Sequence, residues 1–281
     1  MKRVVIIGAG SYLAQGIADQ FTSSQILFVE HGSWRNHTHL LRDVDCVINF
    51  AIAPEFSARD MGPDEIIDIE IAKELCNCST QYVFLSSRKV YGSHTELAIY
   101  HENDVLDGSD AYSRNKILTE NNLRDLLPGR LTVLRVSNVL GNPALRKSKG
   151  TFIGWICEEL QNYGVLTIRQ NPMGVKDFVP LDFVQRVIVH MAENRVFGTF
   201  NVSSNIAIPL GELLGLNVGD LVCVADDIKP TEQFLLDNSK LLNMTGLQIT
   251  EKALREISEK NRIIFKELRD KTWGTKINQS A

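Results

Sequence analysis

The sequence lacks the features of several large protein classes. It has only 5 cysteines in 281 residues, and no two of them form a C-x-x-C pair, so neither a disulfide framework nor a cysteine-rich metal site is expected. No apolar run approaches the roughly 20 residues that a membrane-spanning helix needs. The apolar stretch near the start is broken by Gly8 and Gly10, unlike a secretion signal. We therefore expect a cytoplasmic protein that has no metal site and does not bind a membrane.

An excess of charge of one sign is also missing. The formal net charge is -4, and no block of like charges stands out along the chain. Because proteins that hold a nucleic-acid backbone present a basic field, nucleic acid is not an expected partner. Hydrophobic residues make up 44% and charged residues 23% of the chain, as in an ordinary globular protein.

What is present is a series of short β-branched runs that alternate with helical patterns. The runs are Val4–Ile7, Ile26–Glu30, Cys46–Phe50, Gln81–Leu85 and Leu131–Val136. Continuous apolar strands of this kind are typical of a parallel sheet that is buried on both faces. Helical patterns cover Ile66–Cys76 and Asp110–Leu127, the second with a candidate cap at Ser109 and a stop at Pro128. The alternation predicts an α/β fold with a doubly wound parallel sheet, the Rossmann arrangement.

Two regions depart from this alternation. Residues 30–45 are too few for a helix, a strand and a second helix, so we expect no regular crossover there and a loop with a brief turn over His31–Leu41. After Gly141 the pattern loosens, and the polar, basic stretch Asn142–Gly150 is a candidate loop over the site. One further sheet strand is expected at Gly198–Val202.

These observations suggest a division of the chain into two parts. The first is a dinucleotide-binding Rossmann domain over residues 1–140, to which residues 180–202 return. The second is a smaller C-terminal substrate-binding lobe, made from residues 141–179 and 203–281. An amphipathic helix at Glu251–Arg269 is expected to cover this lobe, and Phe152, Trp155 and Ile156 indicate another helix within it.

The first strand runs directly into a glycine-rich turn. Small residues there let backbone N–H groups and the start of the next helix approach a pyrophosphate. The pattern is incomplete, because Leu13 or Ala14 stands where a third glycine is usual, and a plain tight turn is the alternative. The residues expected to contact a dinucleotide in this turn are Gly8, Gly10, Ser11, Tyr12 and Leu13.

Glu30 closes the second strand, 20 residues after Gly10. A carboxylate at this place can accept both ribose hydroxyls of NAD and repel a 2'-phosphate. The sequence therefore favours NAD(H) as the cofactor. NADP(H) stays open, because His31 and Arg35 lie close enough along the chain to assist a phosphate. A solvated strand end is the alternative interpretation of Glu30.

The sharpest constellation is a tyrosine and a lysine four residues apart, preceded by a serine at the end of a strand. Tyr112 and Lys116 share one face of a helix, so the phenol and the ammonium can converge. An ammonium beside a phenol stabilises the phenolate, as a proton-transfer group requires. Ser87 could donate a hydrogen bond to the same substrate oxygen. The alternative is that Tyr112 and Lys116 lie on a solvated helix face. The order of the glycine turn, the strand that ends in Ser87 and this helix along the chain argues against that alternative.

With these motifs the chain resembles an extended short-chain dehydrogenase/reductase, the family of nucleotide-sugar epimerases, dehydratases and keto-reductases. The similar segments are the glycine turn, Val44–Ala51, Ser86–Gly92, Tyr112–Lys116, Leu134–Gly141, Lys176–Asp182 and Gly198–Val202. The resemblance implies a sugar nucleotide as substrate and a homodimer as the assembly. It also implies that Tyr112 is the acid/base, that Lys116 holds the nicotinamide ribose and that Ser87 orients the sugar oxygen.

Further roles follow from the same resemblance. Phe50, Ala51, Ile52 and Val136 would line the cofactor. Asn138 would touch the sugar or the diphosphate, and Lys176 would face the diphosphate where the family usually has an arginine. Arg88 and Lys89 would face the substrate, at the two positions that carry an Asp-Glu pair in the dehydratases.

This last departure decides the expected reaction. Without the two carboxylates a 4,6-dehydration is not expected, and the compact segment after Glu30 favours a reductase with an exchangeable cofactor. We therefore expect NAD(P)H-dependent reduction of the 4-keto group of a nucleotide-linked, dTDP-linked 6-deoxyhexose. An NAD-dependent nucleotide-sugar 4-epimerase is the first alternative. A non-catalytic dinucleotide sensor is an alternative of another class.

Overall fold

The structure is a computed structural model that describes residues 1–141, 152–213, 222–229 and 232–279. The candidate loop Asn142–Gly150 lies outside the described residues. The strands are β1 Lys2–Ile7, β2 Ser24–Val29, β3 Cys46–Asn49, β4 Gln81–Ser87, β5 Ala98–Tyr100, β6 Leu131–Val136, β7 Asn138–Leu140, β8 Leu166–Gln170, β9 Val175–Lys176, β10 Phe178–Pro180, β11 Gly198–Val202, β12 Ile208–Pro209, β13 Val222–Lys229 and β14 Phe234–Leu236. The α-helices are α1 Thr38–Arg42, α2 Ile67–Leu75, α3 Ala111–Leu126, α4 Phe152–Tyr163, α5 Leu181–Asn194, α6 Leu210–Leu213, α7 Ser239–Thr245 and α8 Glu251–Gln279.

The core of the fold is a six-stranded parallel sheet in the order β11-β6-β4-β3-β1-β2. Alternate residues of each strand face opposite sides of the sheet. Val4 and Ile6 pack with the α5 side chains, including Phe183, whereas Val5 and Ile7 pack on the α2 and α3 side. All five predicted strands and the later strand at Gly198–Val202 are present. The predicted α/β doubly wound parallel sheet with a smaller lobe is confirmed.

The prediction of a helix directly after the glycine turn is wrong. Two 3₁₀ turns, Tyr12–Ala14 and Ile17–Gln20, stand in its place. Gly16 separates them with φ of 77°, a left-handed conformation that an α-helix cannot contain. Ser11 precedes the first turn without a side-chain cap. The dipole of a long helix is therefore not available to a diphosphate at this turn.

The short segment between β2 and β3 carries a 3₁₀ turn, Trp34–His37, followed by α1. Trp34 is buried in the core beneath it. The segment adds no strand to the sheet, which confirms that the regular crossover is missing, although the region is more helical than the loop we expected. As a result β2 forms the outer edge of the described sheet.

The helix that carries Tyr112 begins one residue later than the sequence indicated. Asp110 is its N-cap, with a carboxylate that accepts the Ser113 backbone N–H at 2.8 Å, so Ser109 is not the cap. The other predicted helix, Ile66–Cys76, is α2 and differs by one residue at each end.

The smaller lobe is built from short elements that the sequence mostly did not reveal. β7 pairs with β10, β8 with β13, and a third sheet has the order β12-β9-β14-β5. In that third sheet Ala98 to Tyr100 pair with β14, so a segment from the first 140 residues contributes to the lobe. α4 and α8 pack over an apolar cluster that includes Ile156, Leu254 and Phe265. Among the described residues, no helix combines the length and the apolar character needed to cross a membrane.

Candidate active site

Two connected cavities lie at the carboxyl edge of the central sheet. The outer cleft has a volume of about 650 Å³ and is lined by Gly8, Ala9, Gly10, Ser11, Phe28, Val29, Glu30, His31, Phe50, Ala51 and Ile52. The inner pocket, about 170 Å³, is lined by Ser11, Leu13, Asn49, Phe50, Ala51, Ile52, Asp68, Leu85, Ser86, Ser87, Tyr112, Lys116, Val136, Ser137 and Val139. Four residues line both spaces, so one extended ligand can occupy them together.

The floor of the outer cleft requires glycine at position 8. Gly8 has φ of 76°, and a Cβ atom built on it would lie 2.8 Å from the backbone nitrogen of Ala51. A side chain would therefore collide with the turn that follows β3 as well as strain the backbone. The Ala51 N–H donates to Asn49 Oδ1 at 2.9 Å, which fixes the turn that leaves β3.

The cleft has the features that a dinucleotide needs. A turn of small residues, Gly8–Ser11, lets a ligand approach the backbone closely, the Glu30 carboxylate lines the same cleft, and the inner pocket shares four of its lining residues. Phe28 and Ile52 at the rim are 56% and 44% exposed. The outer end is therefore open to solvent.

In the inner pocket α3 and β4 bring the predicted catalytic residues together. Lys116 is only 2% exposed, and its Nζ donates to the Leu85 carbonyl oxygen at 2.7 Å. The same Nζ lies 5.7 Å from the centre of the Tyr112 ring. Ser87, the last residue of β4, lines the same pocket, and its Oγ accepts the Lys89 backbone N–H at 3.3 Å. A phenol, an ammonium and a hydroxyl thus face one small space.

The first turn of α3 is held by charge. The Asp110 carboxylate accepts hydrogen bonds from Lys89 Nζ and from Ser113, both at 2.8 Å. Partial burial acts to raise the pKa of Asp110, but these hydrogen bonds outweigh it and lower that pKa to about 2. Asp110 is therefore ionised at neutral pH and keeps Tyr112, two residues later, in a fixed first turn.

The sequence analysis missed two polar residues of this pocket, Asn49 and Asp68. Asp68 lies on α2 and is 4% exposed; its Oδ1 accepts hydrogen bonds from Tyr82 at 2.7 Å and from Asn49 Nδ2 at 2.9 Å. Burial raises the pKa of Asp68, while nearby Lys116 acts in the opposite direction. Asn49 ends a parallel strand, a position where functional residues are common. Asp68 stands between Ile67 and Ile69, and a carboxylate within such an apolar run was a signal as well.

A second buried carboxylate lies behind the pocket. Glu120 lies one turn after Lys116. Its carboxylate accepts hydrogen bonds from Ser86 Oγ and from Arg124, both at 2.6 Å. It also accepts two from the Arg135 guanidinium, at 2.7 and 3.0 Å. Burial alone would raise the pKa of Glu120, but Arg135 and its other donors hold it below the usual value. Glu120 thereby joins α3 to β4 and β6.

Arg88 and Lys89 lie outside the inner pocket. Arg88 forms an ion pair with Glu232, and its guanidinium lies 4.3 Å from the centre of the Phe234 ring. Lys89 is half exposed beside Asp110, with its Nζ 5.7 Å from the Tyr112 ring centre. Arg88 thus packs against Phe234 of the lobe, whereas Lys89 lies beside Asp110 and the Tyr112 ring.

The lobe contains a third cavity of about 500 Å³, lined by Phe152, Trp155, Glu159, Thr167, Ile168, Arg169, Lys176 and Leu210. We call it the lobe cavity. Burial lowers the pKa of Lys176, and Glu232 acts in the opposite direction. Trp155 is 39% exposed and its ring packs against Phe152. The cavity therefore combines an accessible aromatic face with two cationic side chains.

Apart from Arg88 and Lys89, the predicted site residues fall into three groups. Those in the outer cleft, the inner pocket or both are Gly8, Gly10, Ser11, Leu13, Glu30, Phe50, Ala51, Ile52, Ser87, Tyr112, Lys116 and Val136. Lys176 lies in the lobe cavity, apart from them. Tyr12 packs its phenol against Gly141, and Asn138 is half-buried at the start of β7, opposite Phe178 in the neighbouring strand. The roles given to these residues stay predictions.

No three His, Cys, Asp or Glu side chains of the described residues come together in a way that could hold a metal ion. The outer cleft fits a dinucleotide in size and in the geometry of its glycine turn.

A model of the NAD-dependent epimerase/dehydratase family matches residues 15–203. A UDP-N-acetylglucosamine 4-epimerase from Methanobrevibacter ruminantium M1 is 18% identical, with a TM-score of 0.74 over 94% of this chain and 98% of that chain. A dTDP-4-dehydrorhamnose reductase from Clostridium acetobutylicum ATCC 824 is 16% identical, with a TM-score of 0.69 over 92% and 98%. A UDP-glucose-4-epimerase from Stenotrophomonas maltophila with bound NAD is 15% identical, with a TM-score of 0.73 over 100% of both chains. No curated protein matches the chain. At these identities the solved structures show a common fold and leave the reaction open.

Proposed function

This chain belongs to the NAD-dependent epimerase/dehydratase family, and from that membership we propose that it is an NAD(P)H-dependent nucleotide-sugar 4-keto-reductase. The substrate is a dTDP-linked 4-keto-6-deoxyhexose, and the product enters deoxysugar and surface polysaccharide biosynthesis. One observation carries the choice of reaction: the two residues after Ser87 are the cations Arg88 and Lys89, which are engaged with Glu232 and Asp110.

Dehydration needs an acid and a base beside the sugar ring, and the family's dehydratases take both from these two positions. Two cations cannot supply the base. Reduction of a ketone needs neither residue, since one proton donor and one hydride are sufficient. The charge pattern after β4 therefore supports reduction.

The outer cleft supports NAD(H) as cofactor, with NADP(H) as the alternative. Among solved structures of the same fold, three contain NAD and one contains NADPH. When bound, the reduced dinucleotide supplies the hydride for the carbonyl carbon. Glu30 would accept the adenosine ribose hydroxyls, and Lys116 would hold the ribose next to the nicotinamide.

The chain's own residues then handle the proton. The Tyr112 phenol donates it to the 4-keto oxygen, and the buried Lys116 ammonium stabilises the resulting phenolate. Ser87 Oγ already accepts the Lys89 backbone N–H at 3.3 Å, so its hydroxyl hydrogen is available to donate to the same keto oxygen. Both donors come from rigid elements, which keeps their separation constant as the substrate binds.

Reduction is favoured over epimerisation by the open outer cleft. A reductase must release its oxidised cofactor in every turnover, whereas an epimerase restores the cofactor within one turnover. The exposed rim at Phe28 and Ile52, on the edge strand β2, leaves the adenosine end accessible for that exchange. A pure dinucleotide sensor would have no use for Tyr112, Lys116 and Ser87 in one pocket.

The lobe cavity is the proposed place for the nucleotide of the substrate. Trp155 offers a flat aromatic face for the base, and Lys176 offers positive charge for the diphosphate. Arg169 lines the same cavity, but it is paired with Asp227. We also propose a homodimer, which pairs through the helices α2 and α3 beside the site. Analytical ultracentrifugation measures that state directly.

The decisive experiment supplies purified protein with a dTDP-4-keto-6-deoxyhexose and either NADH or NADPH. We expect the absorbance of the reduced nicotinamide to fall and one 6-deoxy sugar nucleotide to form. The matched control is the corresponding 4-hydroxy sugar nucleotide, which should leave the reduced cofactor unchanged. If no keto sugar consumes the cofactor, but the 4-hydroxy sugar is converted to its 4-epimer without added cofactor, the chain is an epimerase and this proposal is wrong.

A further inference from the structure

Asp68 is a buried charge for which the proposed reaction has so far given no use. It extends from α2 into the inner pocket and is 4% exposed. Among the described residues that line this pocket, Asp68 and Lys116 are the two with charged side chains. Lys116 is equally buried, and its hydrogen-bond acceptor, the Leu85 carbonyl, is uncharged. A buried ammonium without a negative partner is unfavourable, and Asp68 is the carboxyl group that lines the same pocket.

Burial raises the pKa of the Asp68 carboxyl, and the hydrogen bonds around it act in the opposite direction, towards the ionised form. The Asn49 amide is oriented by Ala51, whose N–H donates to Asn49 Oδ1 and whose carbonyl accepts from Asn49 Nδ2. Asn49 therefore presents Nδ2, a donor, to Asp68 Oδ1. Tyr82 donates its phenol hydrogen to the same oxygen at 2.7 Å. Both neighbours supply hydrogens, as a carboxylate needs, and the Lys116 charge acts in the same direction.

The charge of the pocket has a consequence for the cofactor. The nicotinamide ring is neutral when reduced and carries a positive charge when oxidised. With Asp68 ionised and Lys116 protonated, the two side chains sum to zero charge, and the pocket can hold either form. Without the carboxylate, the pocket would carry a net positive charge and would repel the oxidised ring.

We infer that Asp68 is the fixed negative charge that balances Lys116 and lets the inner pocket bind oxidised and reduced nicotinamide with comparable strength. This inference rests on the proposed function, because it assumes that the nicotinamide end of a dinucleotide enters this pocket. Asp68 is a positioning residue, which acts on the cofactor through the field of the pocket.

The test compares the dissociation constants of NAD+ and NADH, measured by calorimetry, for the wild type and for Asp68→Asn. The substitution keeps the shape of the side chain and removes its charge. We expect the ratio of the NAD+ constant to the NADH constant to rise about tenfold, as loss of one nearby unit charge in a partly dry site predicts. Tyr82→Phe is the matched control, because it removes a hydrogen bond to Asp68 and keeps the charge. It should leave the ratio within about twofold of the wild type.

The outcomes separate the two proposals. If the wild type binds neither dinucleotide, the proposed function fails. If both proteins bind and the ratio is unchanged, Asp68 is not the balancing charge and the inference is overturned.

Should Asp68→Asn fold poorly, the double variant Asp68→Asn/Lys116→Met decides the matter without any cofactor. It removes both charges, so its midpoint of urea unfolding should lie above that of Asp68→Asn alone. A double variant that unfolds at the same or lower urea concentration than Asp68→Asn would show that the two charges do not compensate each other, and would overturn the inference.

Discussion

The Lys116 Nζ lies 2.7 Å from the carbonyl oxygen of Leu85, so the helix that carries Tyr112 is fastened to the strand that ends in Ser87. Leu85 is two residues before Ser87, and Lys116 is one helical turn after Tyr112. The hydrogen bond therefore fixes the register between the two candidate groups for the substrate oxygen. Their relative position depends on α3 and β4 rather than on a loop.

The first prediction concerns the proton donor. Tyr112→Phe should lower turnover about 10² to 10⁴-fold, because it removes the general acid and keeps the ring that packs edge-on against Phe56. NADH affinity should stay within about threefold of the wild type, since the phenol oxygen is not needed for binding. Tyr163→Phe, on the exposed side of α4, is the control and should keep full activity. If Tyr112→Phe keeps the turnover of the wild type, the proton donor is another residue.

Part of this site could be predicted because the relevant signals are local. The parallel strands are continuous apolar runs, and each places its last residues at the same edge of the sheet, which is why Ser87 was found. Tyr112 and Lys116 are four residues apart, and that spacing alone places them on one helical face. Such features depend on a few adjacent residues and are visible in one sequence.

Other parts depend on contacts between distant residues. The position of Asp68 in the pocket follows from Tyr82 and Asn49, which belong to other elements. The strands of the lobe have two to eight residues and pair over long sequence separations, as Phe234 does with Ala98. Short strands of this kind have little periodicity of their own. Gly16 is a third feature that the sequence did not predict. A single glycine is tolerated inside many helices, so its presence did not indicate that the helix after the glycine turn would be missing.

The second prediction compares two glycines with the same backbone conformation. Gly8 and Gly16 have φ of 76° and 77°, so alanine at either position pays a similar strain, about 1 to 2 kcal/mol. A Cβ at Gly8 would also lie 2.8 Å from the Ala51 nitrogen in the cofactor cleft, whereas at Gly16 nothing lies within 4 Å. Gly8→Ala should therefore weaken NADH binding at least tenfold, because the new side chain displaces the backbone that lines the cofactor cleft; tenfold corresponds to about 1.4 kcal/mol of binding free energy. Gly16→Ala should lower the melting temperature and leave binding unchanged; calorimetry that found equal losses of affinity would contradict this account of the cleft.

The third prediction concerns the choice between NADH and NADPH. Glu30 lines the solvent-exposed end of the outer cleft, where its carboxylate repels a 2'-phosphate. Glu30→Gln removes that repulsion and keeps a group that can bond to the ribose. The ratio of NADPH affinity to NADH affinity should rise about tenfold, as measured by fluorescence titration of each reduced cofactor. Glu256→Gln, on the exposed face of α8, has the same change in net charge and should leave the ratio unaltered.

The fourth prediction concerns the charge behind the pocket. Glu120 is fully buried, and its oxygens accept hydrogen bonds from Ser86, Arg124 and Arg135. Glu120→Gln leaves the buried Arg135 without its carboxylate, so the free energy of unfolding should fall by about 3 to 5 kcal/mol. Glu259→Gln, which loses a surface contact with Arg262 on α8, should change it by less than about 1 kcal/mol. Urea unfolding at neutral pH measures both.

The same pair of variants gives a pH test with a defined sign. Burial would raise the pKa of Glu120, but Arg135 and the other donors hold it below its usual 4.5. Because the unfolded chain then takes up a proton before the folded chain does, the Glu120 contribution is complete above about pH 4.5 and is lost as the pH falls towards the depressed value. The difference in unfolding free energy between the wild type and Glu120→Gln should therefore shrink as the pH is lowered through this range. A difference that stayed constant down to about pH 3 would mean either that Glu120 is not ionised at neutral pH or that its pKa lies below the range measured. Unfolding of the Glu120→Gln/Arg135→Met double variant would separate the two, because an ionised pair predicts that removing Arg135 restores most of the stability lost in the single variant.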